Sequence, residues 1–327
     1  MELLWGFLLC IFALAALSFA WSKFRAPGFE VAGKHIFITG GTSGLGLALA
    51  KKYAIAGAKV SIIGRSTEKL NSAQCEIEAV QKPGQPDVFV TSCDVTKLKE
   101  MEDAIAAANR FHKRVTDHLI CNAGSAEPGY FLAQDMSVFR KMMDLNYFGV
   151  VHTVKAALPA MIERNEPAHI VIVSSACALI SFIGYTQYCA SKYAVRGFAE
   201  ALRSEMLLYK INVHVFYPGS IDTPGYLVEN QTKPQETSTI EGSSTLHHPD
   251  SVAQCLINGV RSGKFSFTNE PILDVLRLIA NGISPRENSA VEFLLMPFCF
   301  LFQVIYLFYM DNVVRQSAAK RSKSKLQ

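Results

Sequence analysis

Short apolar runs rich in β-branched residues alternate with longer helical stretches through most of this chain. Runs of this kind are typical of buried strands, and stretches of 11 residues or more between them are long enough for helices. The predicted strands are 35–39, 59–63, 88–92, 118–122, 169–174 and 212–217, and the predicted helices lie near 45–56, 67–81, 97–113, 133–164, 187–209 and 249–261. Such alternation predicts an α/β fold, a Rossmann-type doubly wound parallel sheet with right-handed crossovers, over residues 33–285.

Composition excludes several classes of protein. The net charge of the 327 residues is only +4, and no basic patch is interleaved with aromatic residues, so nucleic acid is not an expected partner. The eight cysteines contain no CxxC pair and no cluster with histidine, so no metal site is predicted. Free thiols in a reducing compartment are the favoured interpretation.

An uncharged apolar run occupies residues 3–21 at the N-terminus. As a helix it would nearly cross a hydrocarbon core of ~30 Å. A cleaved signal peptide is the alternative, but the positive charges, Lys23 and Arg25, follow the run instead of preceding it. We therefore predict an N-terminal transmembrane anchor at 1–22, with the following domain on the cytosolic side.

A second apolar segment, 291–310, contains Pro297 and Gln303 and precedes a basic tail at 311–327. A single crossing would place this basic tail in the lumen, against the tendency of cationic residues to stay on the cytosolic side. A re-entrant or interfacial membrane segment is the favoured interpretation. A buried C-terminal helix of the soluble domain is the alternative.

A glycine-rich turn follows the first predicted strand and opens a helix. Gly40, Gly44 and Gly46 stand where a backbone must approach a pyrophosphate closely, and the helix N-terminus supplies amide donors. An ordinary glycine turn is the alternative. The second strand ends at Arg65 instead of an acidic residue, which favours the 2′-phosphate of NADPH over the free ribose of NAD. Asp94, after the third strand, is predicted to accept from the adenine amino group or to cap the next helix.

Tyr188 and Lys192 are four residues apart in a predicted helix, so they share a face. An ammonium beside a phenol is expected to lower the phenol pKa. The phenol could then exchange a proton with a substrate oxygen near neutral pH. Together with the glycine-rich turn, this pair indicates hydride transfer from a nicotinamide.

These motifs, in this order, resemble the short-chain dehydrogenase/reductase family over about residues 33–225. TGxxxGxG corresponds to 39–46, NAG to 122–124, YxxxK to 188–192, and the PG turn to 218–219. Gly41 and Thr42 vary in the family and contribute little to the resemblance. The resemblance implies catalytic roles for Ser175, Tyr188, Lys192 and Asn146, with Ser174 as the rival of Ser175. It implies cofactor contacts from Gly40, Thr42, Ser43, Gly44, Leu45, Gly46, Arg65, Lys69, Asp94, Val95, Asn122, Ala123, Gly124, Tyr188, Lys192, Pro218, Gly219, Ile221 and Thr223.

The segments 217–226 and 229–237, with both apolar termini, resemble the branch of the family that reduces long-chain sphingoid ketones. This resemblance implies NADPH-dependent reduction of 3-ketosphinganine to sphinganine, with membrane lipid as a partner, on the cytosolic face of the endoplasmic reticulum. Lys323 and Lys325 resemble a dilysine retrieval signal of that membrane. Family members often pair through helices corresponding to 97–113 and 133–164, so a homo-oligomer is compatible with the resemblance.

Two alternatives stay open at this point. One is a microsomal hydroxysteroid or retinol dehydrogenase, and the other is a non-catalytic membrane scaffold that retains the fold. Asn230 begins a glycosylation acceptor triplet that would be modified only in the lumen, so glycan there would reverse the predicted topology. The polar stretch 229–248 is predicted to be a mobile loop, either a lid or plain surface disorder.

Overall fold

The computed structural model describes residues 29–242, 245–282, 284–286 and 289–324, together with Trp5 and Ala13. The predicted N-terminal anchor, 1–22, lies outside the described residues apart from those two.

Seven parallel strands form one sheet in the order β3-β2-β1-β4-β5-β6-β7. They are β1 His35–Thr39, β2 Lys59–Gly64, β3 Phe89–Ser92, β4 His118–Cys121, β5 Ala168–Val173, β6 Ile211–Tyr217 and β7 Ser266–Thr268. The first six agree with the predicted strands to within one residue at each end, which confirms the parallel α/β fold. The sequence analysis missed β7, because three residues are too few to show a periodic pattern.

Eleven α-helices are assigned in the described part of the chain. They are α1 Gly44–Ile55, α2 Thr67–Glu78, α3 Leu98–His112, α4 Met136–Met142, α5 Gly149–Arg164, α6 Thr186–Met206, α7 Pro224–Glu229, α8 Gln235–Glu241, α9 Pro249–Arg261, α10 Pro271–Ala280 and α11 Ser289–Ser324. A π-helix, Met143–Phe148, joins α4 to α5, and short 3₁₀ helices occupy Phe131–Ala133 and Ala176–Ala178. The predicted helix 133–164 is therefore interrupted by the π-helical turn.

Helices cover both faces of the sheet. Side chains alternate along each strand, so Ile36 and Ile38 of β1 pack with the core beside α1, α2 and α9, whereas Phe37 packs with the core beside α3, α5 and α6. All five residues of β1 are buried. Coverage on both faces explains why the strands read as continuous apolar runs.

The stretch predicted to be a mobile loop contains a helix. α8 and the end of α7 fall inside it, and residues 243 and 244 lie outside the described residues. Thr237 is fully buried and donates a hydrogen bond to the carbonyl of Ile183 at 2.5 Å, and Ile240 is also buried. Plain surface disorder was therefore wrong for 235–241, because a polar composition conceals the few side chains that dock a short helix onto the domain.

The C-terminal helix α11 runs without a break through Pro297, so the predicted apolar segment and most of the predicted basic tail form one helix. Cys299, Phe302 and Tyr306 recur at helical spacing and are its less exposed residues there, whereas Phe298 and Phe308 are each 71% exposed. Within the described residues, 291–318 is the one helical segment long and apolar enough to cross a membrane. Phe293, at 75%, is exposed to a similar extent, and exposed apolar surface of this kind is typical of a membrane or protein contact.

Candidate active site

The turn between β1 and α1 needs glycine at several positions. Gly40 and Gly44 have φ values of +67° and +52°, in the left-handed region that favours glycine. A Cβ at Gly46 would lie 2.2 Å from the carbonyl oxygen of Gly40. Ser43 precedes α1 without a side-chain capping bond, so its hydroxyl leaves the first-turn amides open. The turn therefore fits a diphosphate, which would fill the space that side chains would otherwise occupy.

A hydrogen-bond network ties this turn to the end of β4. Asn122 Nδ2 donates to the carbonyl oxygens of Thr39 and Gly40, each at 3.1 Å. The backbone amides of Asn122 and Ala123 both donate to Thr39 Oγ1 at 3.0 Å. The Asn-Ala-Gly segment thus holds the glycine-rich turn against the sheet.

Gly41 is more constrained than the family resemblance suggests. A Cβ there would lie 2.6 Å from two side-chain carbons of Ile62 on β2. The constraint comes from the neighbouring strand, and the motif carried no signal for it. Thr42 packs similarly, since a Cβ at Gly64 would lie 2.8 Å from its methyl group.

Arg65 and Asp94 both line the cavity at the ends of β2 and β3. Asp94 Oδ1 accepts from the backbone amide of Thr96 at 2.9 Å, which closes a turn just before α3. The N-cap residue of α3 is Lys97, so the prediction that Asp94 caps this helix was wrong. Lys69 is exposed on α2 and does not contribute to the cavity wall.

Lys192 is buried on α6 one turn after Tyr188. Its Nζ donates to the carbonyl oxygen of Val173 at 3.3 Å and lies 5.6 Å from the centroid of the Tyr188 ring. Burial lowers the pKa of Lys192 to about 8, and the nearby Cys177 opposes this shift.

The Tyr188 hydroxyl is in a less polar setting than the sequence suggested. Burial raises the pKa of Tyr188 well above its usual value, Cys177 and Glu229 add to the shift, and a hydrogen bond with Ser175 opposes it. The expectation that Lys192 lowers this pKa is therefore not met, because desolvation is the larger effect. The phenol stays protonated at neutral pH, which is the form that can give a proton to a substrate oxygen.

Ser175 and Ser174 occupy different environments at the end of β5. Ser175 caps a 3₁₀ helix by accepting from the amide of Cys177 at 3.1 Å, and it shares a hydrogen bond with Tyr188. Ser174 is buried and donates to the carbonyl oxygen of Lys192 at 3.5 Å. The geometry supports Ser175 as the partner of Tyr188.

Asn146 lies behind the cavity wall inside the π-helical turn and is fully buried. Its Oδ1 accepts from the amide of Ser125, and its Nδ2 donates to the carbonyl of Ser125 and to Ser191 Oγ, each at 3.0 Å. A Cβ at Gly124 would lie 3.0 Å from Asn146 Oδ1 and 3.5 Å from Lys192 Nζ. Asn146 therefore stabilises the π-helical irregularity, which is a structural role. It also lies close to Lys192, which is compatible with a role in the reaction.

Thr223 joins the turn after β6 to the glycine-rich turn. Its Oγ1 accepts from the amide of Tyr226 at 3.1 Å and so caps α7, while its methyl group would be 2.7 Å from a Cβ at Gly44. The hydroxyl hydrogen remains able to donate to a ligand. Pro218 accepts from the amide of Ala176 at 3.0 Å, which connects this turn to the 3₁₀ helix after Ser175.

One cavity of about 950 Å³ collects most of the predicted residues. Those that line it are Gly40, Thr42, Ser43, Gly44, Leu45, Arg65, Asp94, Val95, Asn122, Ala123, Gly124, Ser175, Tyr188, Lys192, Pro218, Gly219, Ile221 and Thr223. Gly46, Lys69 and Asn146 do not. The lining residues that the sequence analysis missed include Tyr185, Glu229, Glu241, Phe302 and Tyr306.

Comparison with known proteins agrees with this geometry. The short chain dehydrogenase family model matches residues 34–234, and the chain belongs to the short-chain dehydrogenase/reductase family. It is 38% identical to 3-ketodihydrosphingosine reductase of Dictyostelium discoideum over 92% of this chain and 94% of that protein. It is 34% identical to 3-dehydrosphinganine reductase of Danio rerio over 90% and 89%, and 33% identical to 3-ketodihydrosphingosine reductase of Bos taurus over 89% and 88%.

Solved structures share the fold. A short-chain dehydrogenase/reductase from Burkholderia phymatum in complex with NAD superposes with a TM-score of 0.69 and 24% identity, covering 77% of this chain and 94% of that one. Levodione reductase superposes with a TM-score of 0.65 and 24% identity, covering 72% and 96%. The chain is thus an oxidoreductase of a family that uses nicotinamide cofactors, and its glycine-rich turn fits such a group.

Gly46→Ala tests the glycine-rich turn. The new methyl group would meet the backbone of Gly40, so we expect a loss of about 1–3 kcal/mol in the free energy of unfolding and much weaker cofactor binding. Gly197→Ala is the control, because Gly197 lies within α6 with nothing within 4 Å of its Cβ position. That change should stabilise the protein by up to about 1 kcal/mol. Chemical denaturation and cofactor titration check both, and equal stabilities would contradict the packing account.

The pH profile of reduction of a ketone that carries no amine tests Lys192. The ammonium of Lys192 is present below pH about 8 and is lost above it. We expect kcat/KM to fall by about tenfold per pH unit on the alkaline side. In Lys192→Arg the remaining activity should keep no such limb below pH about 10, since a guanidinium stays charged. Circular dichroism across the same range controls for unfolding, and a flat wild-type profile would contradict this role.

Proposed function

We propose that this chain catalyses the NADPH-dependent reduction of 3-ketodihydrosphingosine, also called 3-ketosphinganine, to dihydrosphingosine (sphinganine), a step of sphingolipid biosynthesis. The relatives that carry the name of this activity align over nearly their full length. The observation that carries the proposal is that Phe302 and Tyr306, from the apolar helix α11, line the same cavity as Tyr188. The predicted proton donor therefore shares one cavity with a helix that exposes many other apolar side chains.

The residues around Tyr188 have separate roles in this reaction. NADPH supplies the hydride when it is bound. Ser175 donates a hydrogen bond to the ketone oxygen, and Tyr188 gives that oxygen a proton. The positive charge of Lys192 stabilises the phenolate that remains, because both groups lie away from bulk water.

Asn146 acts as a positioning residue in this proposal. It fixes the backbone of Ser125, which follows Gly124, and a Cβ at Gly124 would lie 3.5 Å from Lys192 Nζ. A water held between this backbone and Lys192 would return a proton through Lys192 to Tyr188. The complete hydrogen bonding of the Asn146 amide keeps the wall behind Lys192 in one arrangement.

The preference for NADPH rests on Arg65. It lines the cavity just after β2, where the adenosine ribose of a dinucleotide lies in sheets of this type. Its guanidinium can form charge-assisted hydrogen bonds with a 2′-phosphate, and no carboxylate occupies its position to favour a free hydroxyl.

Helix α11 supports association with the surface of the membrane. Glu292 pairs with Arg277 at 3.6 Å, near the start of α11. Tyr309 donates to the carbonyl of Thr239 at 3.2 Å, and Ser317 bonds Glu236 at 2.6 Å, near its end. These contacts span ~37 Å of helix at 1.5 Å per residue. A helix attached to the domain over that length lies along it, so its exposed phenylalanines would enter the interface instead of crossing the bilayer.

This placement suits a lipid ketone. The substrate tail contains roughly 15 methylenes, and at about 0.8 kcal/mol each their full extraction from lipid would cost on the order of 12 kcal/mol. A cavity bounded by Phe302 and Tyr306 lets the ketone reach Tyr188 while much of the tail stays in the bilayer.

We further propose that the catalytic domain, 33–285, faces the cytosol from the endoplasmic reticulum membrane, with the anchor at 1–22 and the interfacial segment at 291–310. The basic residues of 311–327 would then meet anionic head groups. Asn230 is exposed, so glycan at Asn230 in cells would contradict this orientation and favour a lumenal hydroxysteroid-type enzyme.

Turnover by the full chain in liposomes tests the proposal. With NADPH we expect reduction of 3-ketosphinganine in preference to steroid or retinoid ketones, and Tyr188→Phe should lower kcat by about 10²–10⁴-fold because the proton donor is lost. Tyr193→Phe, an exposed tyrosine on the same helix, is the control and should keep wild-type activity. A preference for steroids would support the dehydrogenase alternative, and no turnover of any ketone would support the scaffold.

Arg65→Ala tests the choice of cofactor. We expect the preference for NADPH over NADH to fall by about 10- to 100-fold, the effect of losing charge-assisted hydrogen bonds to the 2′-phosphate. Arg110→Ala removes an exposed arginine of α3 and should leave the preference unchanged. Initial rates with both cofactors measure it, and an unaltered preference in Arg65→Ala would overturn this assignment.

A further inference from the structure

A carboxylate stands close to Tyr188 in the cavity wall. The rings of Tyr188 and Tyr185 make an edge contact with centroids 6.0 Å apart. The Tyr185 hydroxyl donates to Glu229 Oε1 at 2.6 Å. Tyr185 is buried, and all three residues line the cavity. Tyr185 therefore stands between Tyr188 and Glu229 and holds the carboxylate of Glu229 in place.

The charges around Glu229 do not balance. In the described part of the chain, the salt bridges of Glu229 and Glu241 both go to Lys233. Lys233 contacts Glu241 at 2.8 Å but Glu229 only at 3.9 Å, and its side chain is just 3% exposed. Two carboxylates thus share one ammonium, and the one left weakly paired is Glu229.

An incompletely paired carboxylate in a cavity wall favours a cationic ligand. Burial raises the pKa of Glu229, and the hydrogen bond from Tyr185 and the charge of Lys233 oppose this shift. The same desolvation makes an ion pair at this position stronger than one in water. A ligand ammonium next to Glu229 would supply the missing charge.

The proposed substrate places an ammonium at the required position. In a 2-amino-3-keto lipid the amine and the ketone occupy adjacent carbons, so bond lengths of ~1.5 Å hold the nitrogen within about 4 Å of the ketone oxygen. The amine is protonated at neutral pH. When the ketone oxygen meets Tyr188, the ammonium must therefore lie in the immediate surroundings of Tyr188, where Tyr185 and Glu229 form the wall.

We propose that Glu229 is the specificity-determining residue of this site and binds the substrate ammonium, with Tyr185 positioning its carboxylate. This inference rests on the proposed reduction of a sphingoid ketone. Steroids and retinoids carry no cation. Their binding would remove water from the Glu229 carboxylate without giving it an ionic partner, so the site would disfavour them.

The test compares two ketones of equal chain length, 3-ketosphinganine and the analogue that has hydrogen in place of the amine. We expect Glu229→Gln to lower kcat/KM for the amino ketone by about 10- to 100-fold, mainly through KM, because a charge-assisted hydrogen bond is lost. The amine-free analogue should be reduced at an unchanged or higher rate. Tyr185→Phe should give a smaller loss that is also confined to the amino ketone.

Glu205→Gln provides the matched control. Glu205 is exposed near the end of α6, and the change alters the net charge equally without touching the cavity. Both ketones should be reduced as by the wild type. Thermal unfolding and NADPH binding verify that each variant is folded, and Glu229→Asp should restore part of the amino-ketone activity.

The outcomes separate this inference from the proposed function. One outcome is that the wild type reduces 3-ketosphinganine while Glu229→Gln lowers kcat/KM equally for both ketones, or for neither. In that case Glu229 does not recognise the amine, and the proposed function stands. If folded wild type reduces neither ketone, the proposed function fails and the inference fails with it.

Discussion

The site depends on one constraint, that the strands of the sheet all run in the same direction. Parallel strands present their carboxyl ends at one edge, and β1, β4, β5 and β6 each end there in a turn that carries functional residues. The hydrogen bonds between Thr39 and Asn122 lock the first two ends together. The bond from Lys192 to Val173 does the same for α6 and β5. Loss of either set of hydrogen bonds would move the Tyr188 phenol relative to the glycine-rich turn.

The second organising feature is α11, the helix that follows the dehydrogenase domain in sequence. α11 contributes aromatic side chains to the cavity and exposes the rest of its apolar surface. The cavity wall also holds opposite charges in different places, with the ammonium of Lys192 beside Tyr188 and the carboxylate of Glu229 held by Tyr185. If both proposals hold, the carboxylate of Glu229 matches the ammonium of an amino ketone and the apolar wall matches its alkyl tail, while Lys192 acts on Tyr188.

The features that the sequence predicted well are those encoded in local patterns. Six strands were placed to within a residue because coverage on both faces forces continuous apolar runs. The glycine-rich turn, Tyr188 and Lys192 could be located because the turn follows a strand and the two side chains share one helix face, whereas Ser175 was named through the family resemblance. The structure brings these residues into one cavity.

The features that the sequence concealed depend on contacts between distant segments. The constraint on Gly41 arises from Ile62 on the next strand, and the wall beside Tyr188 includes Glu229, which lies in a polar stretch 41 residues later. The direction of the Tyr188 pKa shift was also missed, because desolvation depends on how completely the surrounding side chains pack. None of these contacts leaves a periodic or motif signal.

The central claim is that one cavity presents a lipid ketone to Tyr188 while its tail leaves along α11. The most direct test is an experimental structure of the full chain with NADP⁺ and 3-ketosphinganine in a lipid nanodisc. The account predicts the ketone oxygen within hydrogen-bonding distance of both Ser175 and Tyr188, and the alkyl chain in contact with Phe302 and Tyr306. A chain that leaves the cavity on another side, or a ketone oxygen remote from the Tyr188 hydroxyl, would contradict it.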